Sequence, residues 1–219
     1  MSWNKLFVCS ALLSVMISAY VQAASLADTL AAAAPNANPE VIRLALSGVE
    51  CASRSGQGVA DRVTIIDYSK PSTERRLWVF DLSRKTLLYN EFVAHGRDSG
   101  DNFASAFSNQ PGSKKISLGL FRTATTYQGK NGYTLQLQGL EAQFNDNAFA
   151  RAIGMHGATY VSEASIKALG RLGRSWGCPA VRLEIAKELI DNIKDDRFMF
   201  IYYPDQEWLQ SSTYLHCAQ

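Results

Sequence analysis

Apolar and polar positions follow a helical period early in the chain and change to a period of two after about residue 60. Val41, Ile42, Leu44, Ala45, Leu46 and Val49 recur with helical spacing up to Cys51. Asn38-Pro39-Glu40 precedes them, with an N-cap, a proline in the first turn and an acid near the positive end of the helix dipole. A helix therefore begins there. The Ala-rich stretch 24–38, broken by Pro35, reads as a leader arm, so residues 24–58 form an N-terminal arm and helix.

Val63–Tyr68, Leu77–Leu82 and Thr86–Ala94 are short β-rich runs separated by polar turns. Residues 95–114 are rich in Gly, Ser and Asn, too polar for a core, and loops of this length are usually functional. Ile116–Thr126 and Tyr133–Leu137 flank an Asn131-Gly132 step, which predicts a hairpin. Leu140–Arg151 reads as a short helix capped around Asn145-Asp146-Asn147, and Ala152–Met155 delivers His156 to a strand end. Ser162 opens a helix ending at Gly170, and Leu183–Ile193 is an amphipathic helix. Phe198–Tyr203 is a last aromatic strand, and residues 205–219 read as a C-terminal tail. The class is mostly β (α+β) with peripheral helices and one catalytic-sized domain over residues 59–204. No internal repeat or linker marks a second domain.

The N-terminus changes the picture of where the protein works. Lys5 precedes an apolar run from Leu6 to Val21, and Val21-Gln22-Ala23 offers small residues at a cleavage site. Residues 1–23 are therefore expected to be a secretory signal peptide, leaving 219 − 23 = 196 residues and no stable membrane span. An uncleaved anchor is the alternative. The net charge of +2 falls to +1 without Lys5, which argues against nucleic acid as a partner. The mature chain keeps an odd number of cysteines, Cys51, Cys178 and Cys217. In an oxidising compartment two can pair and one stays free. Cys51 and Cys217 lie near the two ends and are the expected pair, with two unpaired structural cysteines as the alternative.

Candidate chemistry concentrates in Met155–Arg182, where His156-Gly157 is followed by Ser175-Trp176-Gly177-Cys178-Pro179. A cysteine attacks as thiolate, so it needs a base or positive surroundings. His156 can take the proton, and Arg174 and Arg182 would add a favourable field if they faced the same way. Pro179 has no N–H, which leaves the amides of Trp176, Gly177 and Cys178 as oxyanion-hole candidates. A buried cysteine in a turn and a satisfied core histidine remain the competing reading of these residue types.

His156-Gly157, a spacer of 17 residues and Ser175-x-Gly177-Cys178 resemble the active-site signature of murein L,D-transpeptidases. FSNQPGSKKISLG (107–119), TTYQGKNGYTLQLQGLE (125–141), NDNAFARA (145–152) and GRLGRSWGCPAV (170–181) are similar to one branch of that family. The resemblance covers roughly residues 60–203. Two positions depart from the pattern: the family's histidine before Gly-Cys is Trp176, and its Arg or Asn two residues past the cysteine is Ala180. The resemblance implies an L,D-transpeptidase-like β-sandwich or barrel, export to the periplasm, no cofactor, and peptidoglycan stem peptides as substrate. It implies Cys178 as nucleophile and His156 as base.

Other residues are weaker candidates. Gly157 and Arg174 are expected near the substrate, Arg174 as a carboxylate partner. Tyr127 and Asn109 come from glycine-rich loops. Ser175 either bonds the imidazole or shapes the turn, and Trp176 either walls the channel or anchors the core. His95-Gly96 is a rival base that the family spacing disfavours, and no His or Cys pair has metal-ligand spacing, so no metal is expected. A hydrolase of wall peptides and a non-catalytic wall-binding domain are the alternative functions.

Overall fold

A computed structural model describes residues 24–217, so the signal-peptide reading of 1–23 lies outside the described residues. The expected arm is mostly helix. In α1 (Leu26–Ala33), Ser25 Oγ accepts from the Asp28 amide at 3.1 Å while the Asp28 carboxylate accepts from the Ser25 amide at 3.3 Å. Alanine is the strongest intrinsic helix former, so the Ala-rich run supports a capped helix that stops before Pro35. α2 (Pro39–Arg54) begins as expected, with Asn38 Oδ1 accepting from the Glu40 amide at 2.9 Å. Its face of Val41, Ile42, Ala45 and Val49 is buried in the core.

One sheet carries eight strands: β1 (Arg62–Asp67), β2 (Leu77–Asp81), β3 (Thr86–Glu91), β4 (Gly119–Gly129), β5 (Gly132–Gly139), β6 (Gly154–Ala158), β7 (Ala180–Arg182) and β8 (Phe198–Tyr202). Their spatial order is β3-β2-β1-β8-β4-β5-β6-β7. Every residue of β2 and β8 is buried, so the period of two expected after residue 60 does not hold in these strands, which are covered on both faces. β8 lies parallel to β1 and antiparallel to β4. The β4–β5 hairpin turns at Lys130-Asn131, with Gly132 at φ 77°.

The two ends of the sheet meet through the segment that follows β3. Ala94 and Ala180 exchange backbone hydrogen bonds at 2.8 and 3.3 Å, and Gly96 bridges to Ser175. The result is a mostly-sheet near-barrel with helices at its periphery. β7 was not legible as a strand, because three residues are too few to show a period.

The helix expected over Leu140–Arg151 is a run of turns. Asn145 does not cap a helix there. Its side chain accepts from the Glu141 amide at 2.8 Å and donates to the carbonyls of Leu118 and Leu120, competing with helical bonding. α3 (Glu163–Leu169) is capped by Ser162 and ends at Gly170 in the left-handed region. α4 (Leu183–Ile193) buries Ala186, Leu189, Ile190 and Ile193. The expected tail contains α5 (Gln206–Ser211), whose Trp208 is fully buried against Phe200 and Tyr202. Cys51 and Cys217, with Cα atoms 6.0 Å apart and 166 positions apart in sequence, form a disulfide that ties the C-terminus to α2.

Candidate active site

The sheet brings the His-Gly and Ser-Trp-Gly-Cys segments together by register. His156 sits in the middle of β6, not at its end, facing Thr134 of β5 on one side and Ala180 of β7 on the other. Cys178 lies two residues ahead of β7, and Pro179 between them accepts from the His156 amide at 3.4 Å. His156 and Cys178 line one cavity of about 340 Å³, with Lys130, Tyr160, Arg174 and Trp176 among its walls. A second cavity of about 350 Å³ also opens onto Cys178, and its walls include Lys114, Arg151, Ala152 and Ile153. Cys178 is the free cysteine among the described residues.

His156 is buried, and its Nδ1 lies 2.9 Å from the Gly157 carbonyl oxygen. A carbonyl only accepts, so Nδ1 carries the hydrogen and Nε2 keeps its lone pair. Burial pushes the His156 pKa below the ordinary imidazole value, and the bond to Gly157 opposes that shift. The Cys178 thiol points to the Ala152 carbonyl at 3.8 Å. Burial pushes the thiol pKa up, while a backbone bond at Gly154 and the positive charge of Arg151 pull it down. Both shifts favour neutral forms, so the resting arrangement is a thiol and a neutral imidazole.

The turn at 175–178 is held by Ser175. Its Oγ donates to the Cys178 carbonyl at 2.5 Å and accepts from the Gly177 amide at 3.1 Å, so it shapes the turn and does not bond the imidazole. That removes Gly177 from the oxyanion-hole candidates. Among the described residues the amides of Trp176 and Cys178 have no protein partner. Gly177 adopts φ 118°, and a Cβ on it would sit 2.9 Å from the Lys115 carbonyl. A Cβ on Gly96 would lie 2.9 Å from the Gly177 Cα and collide with the Lys114 carbonyl. The polar 95–114 loop therefore packs directly on the turn that carries Cys178.

The remaining sequence candidates divide. Trp176 is 70% exposed, which makes it a wall of the cleft, with Lys114 Nζ 5.4 Å from its ring centroid. Arg174 faces the cavity but spends Nη1 on the Gly100 carbonyl at 2.8 Å and lies 3.4 Å from Asp101. Arg182 turns away and grips Glu91 with two bonds of 2.6 and 2.8 Å, so it contributes no field at Cys178. Gly157 supplies its carbonyl to His156, and a Cβ there would press on Ala186 and Leu183 of α4.

Asn109 lies outside both Cys178 cavities and clamps the 140–151 turns, donating to Asp146 at 2.6 Å and accepting from the Asn147 amide at 3.1 Å. Tyr127 lines a neighbouring hollow with Phe149, Ala152 and Ile153. His95 is buried, accepts at Nδ1 from Arg76 at 2.8 Å, and has its pKa pushed down to about 3 by burial and that guanidinium. It is a satisfied core histidine. Sequence reasoning missed Arg151, Lys114 and Tyr160, which reach the site only through the fold. Among the described residues no group of three or more His, Cys, Asp or Glu side chains could hold a metal ion.

Comparison with protein families matches residues 33–202 to the L,D-transpeptidase catalytic domain. No curated protein matches the chain. Among solved structures, an L,D-transpeptidase from Mycobacterium smegmatis is 10% identical, with 66% of this chain and 59% of that chain covered and a TM-score of 0.41. L,D-transpeptidase 3 from Mycobacterium tuberculosis is 10% identical, with 65% and 61% covered and a TM-score of 0.42. The chain spans about three-fifths of the length of these structures.

Proposed function

Because this chain belongs to the L,D-transpeptidase catalytic domain family, we propose that it is an exported cysteine acyltransferase that cross-links peptidoglycan stem peptides. The observation that carries this reading is the convergence of the unpaired Cys178 and a tautomer-fixed His156 on one cavity, beside two amides with no protein partner. In the proposed reaction His156 Nε2 takes the thiol proton as Sγ attacks the carbonyl carbon of the L-centre of the third-position diamino acid. The amides of Trp176 and Cys178 are the donors for the developing oxyanion. The C–N bond to the terminal D-alanine breaks, and that amine leaves with the proton from His156. The side-chain amine of a second stem then attacks the thioester, gives its proton to His156, and releases Cys178 as a 3-3 cross-link forms.

In this reading residues 59–204 are the catalytic unit. The 24–58 region and residues 205–217 pack on it with Leu30, Val41, Ile42 and Trp208 in the shared core, and the Cys51–Cys217 disulfide joins them. That disulfide supports work in an oxidising compartment, consistent with periplasmic or envelope localisation and removal of 1–23 as a signal peptide. Among the described residues no helix is long and apolar enough to cross a membrane.

The test is incubation of the mature protein with disaccharide tetrapeptide, followed by mass spectrometry of the products. A dimer joined through two third-position residues, absent with Cys178→Ala, supports transfer. A shortened monomer alone makes the protein an L,D-carboxypeptidase. No product and no carbapenem adduct on Cys178 would reduce it to a wall-binding domain.

A further inference from the structure

Arg151 lines a cavity together with Cys178, and the residues it touches explain how it is held. Nη1 donates to the Ser108 carbonyl and to Ser117 Oγ, both at 2.6 Å. Nη2 donates to the Lys115 carbonyl at 2.7 Å and to Ser113 Oγ at 3.0 Å. Nε is buried without a partner. All four acceptors are neutral, and among the described residues no carboxylate forms an ion pair with Arg151. A half-buried guanidinium held by four hydrogen bonds is fixed in place, yet no carboxylate compensates its charge. It lines the second cavity with Cys178, and a Cβ on Gly177 would lie 3.6 Å from its Nη2.

The other charged and titratable groups around Cys178 are differently placed. His156 from β6 is neutral at Nε2, and Tyr160 has its pKa pushed up to about 12 by burial and the nearby sulfur. Arg174 is paired with Asp101, Lys114 rests on the Trp176 ring, and Lys130 is at the exposed hairpin tip. At the family's position for an Arg or Asn past the cysteine stands Ala180, and Arg182 is committed to Glu91.

Resting on the reading of Cys178 as the reacting atom, we propose that Arg151 is a positioning residue for negative charge at the nucleophile. Its fixed guanidinium stabilises the sulfur once the proton has gone to His156, and it locks the 108–117 strap against the turn that carries the cysteine. A cation reaching the site from the β5–β6 connection thus takes the place left empty at Ala180.

Cys178 is the free cysteine among the described residues, so iodoacetamide alkylation mapped to its own peptide as a function of pH reads its ionisation directly. Arg151→Gln, folded by circular dichroism, is expected to raise the alkylation midpoint by about one pH unit and slow alkylation at pH 7 about tenfold. Arg151→Lys, which restores the charge without the four bonds, is expected to recover most of the shift. Ser113→Asp, which leaves Arg151 in place and sets a counter-charge against Nη2, is expected to raise the midpoint as well, and it carries the test if the Arg151 variants do not fold. An unshifted midpoint in Arg151→Gln or in Ser113→Asp overturns the proposal. So does Arg151→Lys behaving like Arg151→Gln, because that result assigns Arg151 to the strap alone. Alkylation is independent of turnover, so activity surviving in Cys178→Ala would sink the proposed function without touching this result.

Discussion

His156 spends its Nδ1 proton on the carbonyl of its own neighbour, Gly157, and that one bond decides which nitrogen is available for chemistry. The orienting group is backbone, so no third side chain is needed. His156→Ala is expected to lower the rate of Cys178 acylation roughly 10²–10⁴-fold, measured by single-turnover mass spectrometry, and an unchanged rate would reassign the base. The pH dependence follows from the direction of its shift. A base must be unprotonated, and burial moves His156 below its ordinary range, so the protein stays competent at lower pH than a free imidazole would allow. The acid limb of kcat/KM is expected below about pH 6.5, and a limb above that value contradicts the assignment. Both of these residues were legible from the sequence. Arg151 was not, because nothing in its local pattern separates it from a surface arginine. Only the fold carries the β5–β6 connection beneath the loop at 108–117. Arg182 misled for the converse reason: its nearness in sequence to Cys178 says nothing about Glu91, which claims it across the sheet.

Among the elements, those with strong caps or short β-rich runs bounded by polar turns were readable. α2 announced itself through Asn38-Pro39-Glu40, β2 through a β-rich run and β8 through its aromatic residues. Residues 140–151 were not, because the same Asn and Asp side chains that cap helices also bridge distant backbone groups. Glu141 adds a second bridge: its buried carboxylate accepts from the Leu120 amide at 2.6 Å and from Trp208 Nε1 at 3.0 Å. Burial raises its pKa against those bonds. α5 thereby becomes a wedge joining the C-terminal segment to β4, where the sequence offered only a tail. Trp208→Ala is expected to destabilise the fold by roughly 3–5 kcal/mol, read from urea denaturation, because it empties a core site and removes one hydrogen bond from the buried Glu141 carboxylate. A loss below about 1 kcal/mol would mean that α5 is an appendage.

For the molecule as a whole, the near-barrel places both halves of the site at the seam where the sheet's ends approach each other. The 92–97 segment pairs with 175–180 there, and the disulfide ties the chain's outer segments together elsewhere. The pairing of Cys51 with Cys217 was legible from parity and position. The seam was not, because it depends on single bridges with no sequence period. Replacing both cysteines by serine is expected to cost roughly 4–5 kcal/mol of stability in the loop-entropy account, measured by denaturant midpoint, while leaving Cys178 reactive once folded. During turnover this sulfur is expected to become covalently attached to substrate. Rapid quenching of the mature protein with a tetrapeptide stem, followed by peptide mapping, tests it most directly. The account predicts a mass gain equal to the stem minus D-alanine on the peptide containing Cys178, and none in Cys178→Ala. An acyl group mapped to any other residue, or cross-linked product made by Cys178→Ala, would contradict it.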